Sequence, residues 1–256
     1  MSEPRLTALP AFDDNVVWLL ADADRDAVVV DPGDAVPVRA ALARDGLRLR
    51  AILLTHHHAD HVGGAAALAT ETGAIVVAPV DPRIPSADRR VGDGDRVELD
   101  RPALAFDVIA VPGHTTSHVA FHGHGLLFCG DTLFSVGCGR LFEGTPAQML
   151  DSLERIAKLP ATTRICCGHE YTLANCAFAR TIEPDNVALA RRATEATALR
   201  ARGEPTLPST LADELACNPF LRIDAPAIVQ ALGAGSRVAR FASLRERKDA
   251  FRAPAR

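Results

Sequence analysis

The segment HHHADH at residues 56–61 contains four histidines and one aspartate, side chains that bind transition metals. An apolar run comes directly before it, so the segment follows a predicted β-strand. Alternate residues of an extended segment point to the same side, so His56 and His58 can bind one cation. The backbone then turns and would present Asp60 and His61 to a second cation. The spacing therefore predicts a site for two metal ions.

Three more candidate ligands occur in the same setting further along the chain. His114, Asp131 and His169 each stand where an apolar, strand-like run has just ended. Five of the nine histidines are thereby placed at strand ends. This recurrence favours metal binding over scattered, solvated histidines.

The other four histidines have simpler interpretations. His57 alternates away from its neighbours and would face solvent or the residues behind the ligands. His122 and His124 flank Gly123 in a predicted hairpin turn. We expect His118 to hydrogen-bond near the metal site rather than to bind a metal.

Strands and helices that could position these ligands alternate along the first two thirds of the chain. Residues 16–20 and 27–31 are typical of a strand pair, and residues 36–44 of a helix that ends at Gly46. Further predicted elements are a helix from His61 towards Gly73, for which Asp60 is a plausible N-cap, a strand over 75–78 stopped by Pro79, a turn over 91–95 and two strands leading to His114. Such alternation indicates a layered α/β architecture.

From about residue 170 the strand-like alternation disappears. Helices are predicted over residues 186–202, 225–232 and 236–252. We therefore predict a catalytic domain over residues 1–169 and a helical domain over residues 170–256. The alternative is that these helices only cover one face of a sheet.

Composition limits the classes of function. The chain has 256 residues, 48% hydrophobic and 23% charged, which is enough for a large core, and its net charge of -4 disfavours a general nucleic-acid-binding surface. No leader segment and no run of about 20 apolar residues is apparent, so we expect a cytoplasmic protein without a membrane partner. The six cysteines form no C-x-x-C pair, so we expect reduced, structural thiols.

The ligand pattern, H-x-H-x-D-H followed by His114, Asp131 and His169, resembles that of the metallo-β-lactamase superfamily. Other motifs are similar to those of its hydroxyacylglutathione hydrolase (glyoxalase II) family: GDTLF at 130–134, GCGR at 137–140, FEGT at 142–145, GHEYT at 168–172 and NPF at 218–220. The resemblance extends over nearly the whole chain. It implies an α/β fold, the αββα metallo-β-lactamase sandwich, with a C-terminal all-helical domain that binds glutathione.

The resemblance also implies how the ligands are shared between two divalent ions. One metal would be bound by His56, His58 and His114, the second by Asp60, His61 and His169, and Asp131 would bridge them. Asp60 and Asp131 would also act in catalysis. This donor set suits zinc, and iron or manganese are the alternatives.

The implied reaction is hydrolysis of S-D-lactoylglutathione to D-lactate and glutathione by a metal-bound hydroxide, as in methylglyoxal detoxification. The resemblance implies that the substrate is contacted by Arg140, Phe142, Tyr171, Arg245 and Lys248. Since Arg245 and Lys248 are three residues apart in a predicted helix, they would share one face. Without the resemblance, the same stretch would be typical of a solvated helix end. We expect a monomer with a small-molecule substrate.

Other functions are compatible with parts of the pattern. One alternative is a persulfide dioxygenase of the same superfamily, which would use a single iron. Another is a catalytically silent module, which would bind metal but catalyse no reaction. The helical tail favours the thioester hydrolase over the dioxygenase, and also over lactone or β-lactam hydrolysis. The intact ligand set disfavours the silent module.

Overall fold

The histidine segment and the other candidate ligands are divided between two units of the fold. The computed structural model describes residues 4–252. Unit 1 comprises the described residues up to Ala110 together with Ser117–Gly130, and unit 2 comprises Val111–Thr116 with the described residues from Asp131 onwards. Each unit is therefore assembled from segments that are not contiguous in sequence.

Unit 1 contains a six-stranded mixed sheet. Its strands, in spatial order, are β1 (Arg5–Ala11), β2 (Asn15–Ala21), β3 (Asp26–Val30), β4 (Arg48–Leu53), β5 (Ile75–Pro79) and β6 (Arg89–Val91). Strands β1 to β3 are antiparallel, and β3 to β6 are parallel. Because β3 and β4 are parallel, the residues that follow them lie at the same edge of the sheet. The predicted strand pair is confirmed as β2 and β3, whereas β1 was not predicted.

Three helices of unit 1 are α1 (Ala35–Asp45), α2 (Ala59–Val62) and α3 (Ala65–Thr72). Helix α1 is the predicted one and ends at Gly46, whose φ of 62° is the left-handed conformation that glycine adopts readily. Buried side chains of α1 and α3 pack with the sheet in one apolar core, with Val38, Leu68 and Ile52 among them.

A helix ends at Gly73 as predicted, but it does not run unbroken from His61. Helix α2 ends at Val62 and α3 begins at Ala65, because Gly63 and Gly64 weaken helix propagation and Gly64 bonds elsewhere. The Gly64 amide donates to the carbonyl of Pro32 at 2.9 Å. The N-cap position of α2 is His58, so the expectation that Asp60 caps the helix is also wrong; Asp60 lies in the first turn.

A second run of strands in unit 1 is antiparallel throughout. It contains β7 (Arg96–Leu99), β8 (Leu104–Ala110), β9 (Val119–Gly123) and β10 (Leu126–Gly130). Strands β7 and β8 are the two predicted before His114. The hairpin turn lies later in the chain than predicted: His122 and Gly123 both belong to β9, and His124 and Gly125 turn the chain with φ of 53° and 71°.

Unit 2 is mainly helical. Its elements are β11 (Leu133–Phe134), β12 (Gly137–Cys138), α4 (Pro146–Ala157), β13 (Arg164–Cys167), α5 (Thr172–Ile182), α6 (Val187–Ala201), β14 (Ser209–Thr210), α7 (Leu211–Cys217), α8 (Pro226–Leu232) and α9 (Arg237–Ala250). Helices α6, α8 and α9 confirm the three predicted helices, and the Asn186 and Ser236 side chains cap α6 and α9. Helices α4, α5 and α7 were not predicted. The short strand β14, which pairs with β13, interrupts a stretch expected to be helical throughout.

None of the helices within residues 4–252 is long and apolar enough to cross a membrane. The six cysteines all lie within residues 4–252, where they are buried and form no disulfide, as expected of structural thiols. Burial raises the pKa of the Cys138 and Cys176 thiols to about 11. Neither thiol is therefore a nucleophile near neutral pH.

Candidate metal centre

The histidine segment of unit 1 follows β4 and is held by Asp31, which follows β3. The Thr55 amide donates to Oδ1 of Asp31 at 2.8 Å, and the Thr55 hydroxyl donates to Oδ2 at 2.7 Å. Asp31 is buried, so these bonds fix the start of the segment. The contact exists because β3 and β4 are parallel neighbours.

Hydrogen bonds assign the tautomers of His56 and His61. Nδ1 of His56 lies 3.0 Å from the Thr55 hydroxyl, which already donates to Asp31, so the ring nitrogen is the donor. Nδ1 of His61 lies 3.1 Å from Oδ2 of Asp31 and donates to it. In both rings the lone pair is then on Nε2, the atom available to a metal.

His58 and Asp60 bring further donor atoms to the same segment. Nδ1 of His58 lies 3.2 Å from Nε2 of His56, and Oδ2 of Asp60 lies 3.5 Å from Nε2 of His61. The Asn15 amide donates to both the carbonyl and Oδ2 of Asp60, at 3.2 and 3.0 Å. All four predicted ligands of unit 1 therefore lie in one cluster.

Close backbone packing sets the position of Asp60. A Cβ atom on Gly33 would lie 1.8 Å from the Asp60 carbonyl oxygen, so only glycine fits there. Asp31, Asn15 and Thr55 were not predicted as parts of the site. The Asp-Pro-Gly sequence after β3 was the available signal for Asp31, because it ends a strand at the ligand-bearing edge.

The remaining histidines near this cluster have other contacts. His118 is buried, stacks on the His56 ring with centroids 4.6 Å apart, and its Nδ1 lies 3.1 Å from the Val119 carbonyl oxygen. Nδ1 of His57 lies 3.6 Å from Oδ2 of Asp81. That neither histidine is a metal ligand stays a prediction.

In unit 2, three predicted ligands meet at one carboxylate oxygen. Oδ2 of Asp131 lies 3.5 Å from Nε2 of His114 and 3.3 Å from Nε2 of His169. All three side chains are buried. Nδ1 of His114 lies 2.9 Å from the carbonyl oxygen of Arg140 and donates to it, which leaves the lone pair on Nε2.

Aromatic rings adjoin two of these ligands. The Tyr171 ring stacks on His169 with centroids 4.7 Å apart and an interplanar angle of 4°. The Phe142 ring lies edge-on to His114 at 5.2 Å and is 63% exposed, so it can contact a molecule bound beside His114. Both residues were predicted to contact substrate.

Two of the three predicted cationic contacts, Arg245 and Arg140, lie near one carboxylate but differ in exposure. Arg245 of α9 is buried, and its guanidinium donates to the Cys138 carbonyl at 2.7 Å and to Asp249 at 2.9 Å. Arg140 is exposed and lies 3.4 Å from the same Asp249 carboxylate. Arg245 is therefore not part of a solvated helix end.

Comparison with known proteins decides the family. The model of the metallo-beta-lactamase superfamily matches residues 11–169, and the model of the hydroxyacylglutathione hydrolase C-terminus matches residues 170–251. A hydroxyacylglutathione hydrolase of Xanthomonas campestris pv. campestris (strain B100) is 55% identical over 256 residues, which covers 97% of this chain and 100% of the relative. The chain belongs to the hydroxyacylglutathione hydrolase family. The predicted family and hydrolase class are confirmed.

Other members and solved structures agree with this family and fold. A hydroxyacylglutathione hydrolase of Stenotrophomonas maltophilia (strain R551-3) is 54% identical over 257 residues, covering 97% of this chain and 100% of the relative. ETHE1 from Myxococcus xanthus has a TM-score of 0.67 and 26% identity, over 94% of this chain and 89% of that one. The BLEG-1 B3 metallo-beta-lactamase has a TM-score of 0.66 and 24% identity, and the match covers 85% of this chain and 100% of that one.

This hydroxyacylglutathione hydrolase family member thus has the metallo-β-lactamase fold, with two sheets and a helical C-terminal region, as predicted. The two family models meet at residues 169 and 170. The units of the structure divide the chain at other residues, so the domain boundary at 170 stays a prediction.

Proposed function

We propose that the chain binds two divalent metal ions through the seven predicted ligands. The first ion would be held by His56, His58 and His114, the second by Asp60, His61 and His169, and Asp131 would lie between them. The observation that carries this proposal is the position of Asp131 Oδ2, 3.5 Å from Nε2 of His114 and 3.3 Å from Nε2 of His169. One carboxylate oxygen between two imidazole nitrogens suits a bridging ligand.

The donor atoms fit such ions. Hydrogen bonds at Nδ1 leave the lone pairs of His56, His61 and His114 on Nε2. Nitrogen and carboxylate ligands suit zinc, which we propose, with iron or manganese as alternatives. The solved TTHA1623 structure in a di-iron-bound form supports a dinuclear site; it is 27% identical, with a TM-score of 0.60, over 85% of this chain and 100% of that one.

The proposed reaction is hydrolysis of S-D-lactoylglutathione to D-lactate and glutathione. Two cations held by these ligands would supply an acidified water and a Lewis acid for the thioester carbonyl. Water adds to the carbonyl carbon, the carbon–sulfur bond breaks, and the departing sulfur receives a proton to give the thiol. The carboxylates of Asp60 and Asp131 accept hydrogen bonds from the attacking water, and the Asn15 amide keeps Asp60 oriented.

Unit 2 would bind the glutathione part of the substrate. Arg140 and Lys248 offer positive charge to a carboxylate, the Tyr171 hydroxyl offers a hydrogen bond, and Phe142 contributes an exposed apolar face. Arg245, which is buried, is the third cation proposed to contact the substrate. We further propose that residues 170–256 act as the glutathione-binding domain, and that the protein is a cytoplasmic monomer. Sedimentation of the purified protein would test the oligomeric state.

The decisive experiment measures loss of thioester absorbance of S-D-lactoylglutathione, with metal content determined on the same sample. Turnover with about two metals per chain is the expected result. No turnover by fully metal-loaded protein would overturn the proposal. The same sample would then be assayed for persulfide oxidation and for lactone or β-lactam hydrolysis.

A further inference from the structure

Four charged residues of unit 2 form a cluster at the C-terminal part of α9 and after β12. These residues, here called the α9 charge cluster, are Arg140, Arg245, Lys248 and Asp249. Three carry positive charge and one carries negative charge. The cluster therefore has an excess of cations around a single carboxylate.

Within the cluster, Arg245 is committed to groups of the protein itself. It is 5% exposed, and its Cζ atom lies 5.2 Å from the centre of the Phe220 ring. One guanidinium nitrogen donates to the Cys138 carbonyl at 2.7 Å, and the other donates to Asp249 Oδ1 at 2.9 Å. The bond to Asp249 satisfies Nη2 of this buried guanidinium. Loss of the bond would therefore lower the stability of the folded protein.

Arg140 contacts the same oxygen in a much weaker way. Its Nε lies 3.4 Å from Asp249 Oδ1, and the two side chains are 60% and 41% exposed. Exposed ion pairs of this kind contribute about 1 kcal/mol or less. A carboxylate from a bound molecule can therefore displace Asp249 from Arg140 while Asp249 stays on Arg245.

Lys248 completes the cluster as a crowded cation. Burial lowers the pKa of its ammonium group, and the positive charges of Arg245 and Arg140 lower the pKa further. Its Nζ also lies 5.8 Å from the centre of the Phe178 ring. Crowding of like charges costs stability, and an incoming anion relieves it.

We propose that Asp249 is a specificity-determining residue, which orients Arg245 and competes with the substrate's carboxylate for Arg140. This inference rests on the proposed binding of a glutathione thioester by unit 2. Asp249 weakens the binding of the glutathione part, and by the same competition it speeds release of glutathione, which carries the same carboxylates.

The test replaces Asp249 by asparagine, which removes the charge and keeps an acceptor for Arg245. KM for S-D-lactoylglutathione is expected to fall about threefold to tenfold in Asp249→Asn, as for loss of a competing surface charge. The matched control is Glu246→Gln, the same loss of one charge at an exposed position of α9, which should leave KM unchanged. A D-lactoyl thioester of a small thiol without a carboxylate should show the same KM with Asp249→Asn and with the wild type.

A second comparison assigns the effect to Arg140. In an Arg140→Gln background, Asp249→Asn should no longer lower KM. A KM that rises in Asp249→Asn would show that Asp249 orients the cations for substrate, and an unchanged KM would show no competition; either result overturns the proposal. If Asp249→Asn has a lower melting temperature, Asp249→Ser serves for the same comparison.

Failure of this inference is distinguishable from failure of the proposed function. Absence of turnover in the wild type and in Glu246→Gln would contradict the proposed function itself. Calorimetric binding of glutathione, which needs no turnover, still tests Asp249 in that case. Tighter binding by Asp249→Asn than by Glu246→Gln supports the competition, and equal or weaker binding contradicts it.

Discussion

Nδ1 of His61 lies 3.1 Å from Oδ2 of Asp31, and both side chains are buried. Asp31 also accepts two hydrogen bonds from Thr55, so a single carboxylate orients both ends of the histidine segment. This arrangement makes Asp31 a residue that acts on metal binding through His61 and Thr55.

Asp31→Asn should weaken metal binding about tenfold to hundredfold, because an amide cannot accept hydrogen bonds on both of its outer atoms. Competition with a chelator of known affinity measures the effect. Asp13→Asn, at an exposed position of unit 1, is the control and should bind metal normally. Unchanged affinity in Asp31→Asn would mean that the ligands are oriented without this carboxylate.

Asp131→Ala should abolish turnover and reduce the metal content below two per chain, because the oxygen shared by His114 and His169 is removed. Metal analysis and the thioester assay on the same sample check both effects. The control is Asp151→Ala, an exposed aspartate on α4. Near-normal turnover of Asp131→Ala would contradict the dinuclear mechanism.

Lys248→Ala should raise KM about tenfold with little change in kcat, as expected when a charged contact worth about 1.4 kcal/mol is lost equally from bound substrate and transition state. The chain offers a matched control, since its other lysine, Lys158, is exposed on the protein surface directly after α4. Lys158→Ala should have the wild-type KM. A normal KM in Lys248→Ala would exclude this ammonium group from substrate binding.

Glu214→Gln should change how stability depends on pH. Glu214 is fully buried, and Oε2 accepts from the Val136 amide at 2.7 Å and from the Asn218 amide at 3.0 Å. Burial raises the pKa of this carboxyl above its ordinary value of 4.5. The folded chain then binds more protons than the unfolded chain between 4.5 and the raised pKa, so the wild type loses stability as pH rises through that window.

Glutamine has no such proton, so the free energy of unfolding of Glu214→Gln relative to the wild type should increase from pH 4 to pH 8. Urea unfolding at several pH values measures this difference. A difference that does not change with pH would show that Glu214 titrates equally in the folded and unfolded chain.

Much of the metal centre could be predicted because ligand chemistry depends on residue type and local spacing. The histidine segment directly follows β4, and alternation along an extended chain already places His56 and His58 on one side. Asp31 was not predicted, because its contact with Thr55 depends on the parallel pairing of β3 with β4, and the Asp-Pro-Gly signal after β3 does not reveal that pairing. The long helix predicted after His61 failed for a similar reason, since Gly64 bonds to Pro32 in a distant part of the sequence.

The sequence by itself determined the kinds of ligand, their order along the chain and the family, since these depend on residue identity and motif spacing. Only the tertiary structure decided which nitrogen of His56, His61 and His114 carries the lone pair, and that Asp249 contacts both Arg140 and Arg245. The first depends on contacts such as His61 with Asp31 and His114 with the Arg140 carbonyl, and the second on the contact of Asp249 with Arg140, in each case between residues far apart in sequence. Such contacts are fixed by packing of the folded chain, which local sequence patterns do not encode.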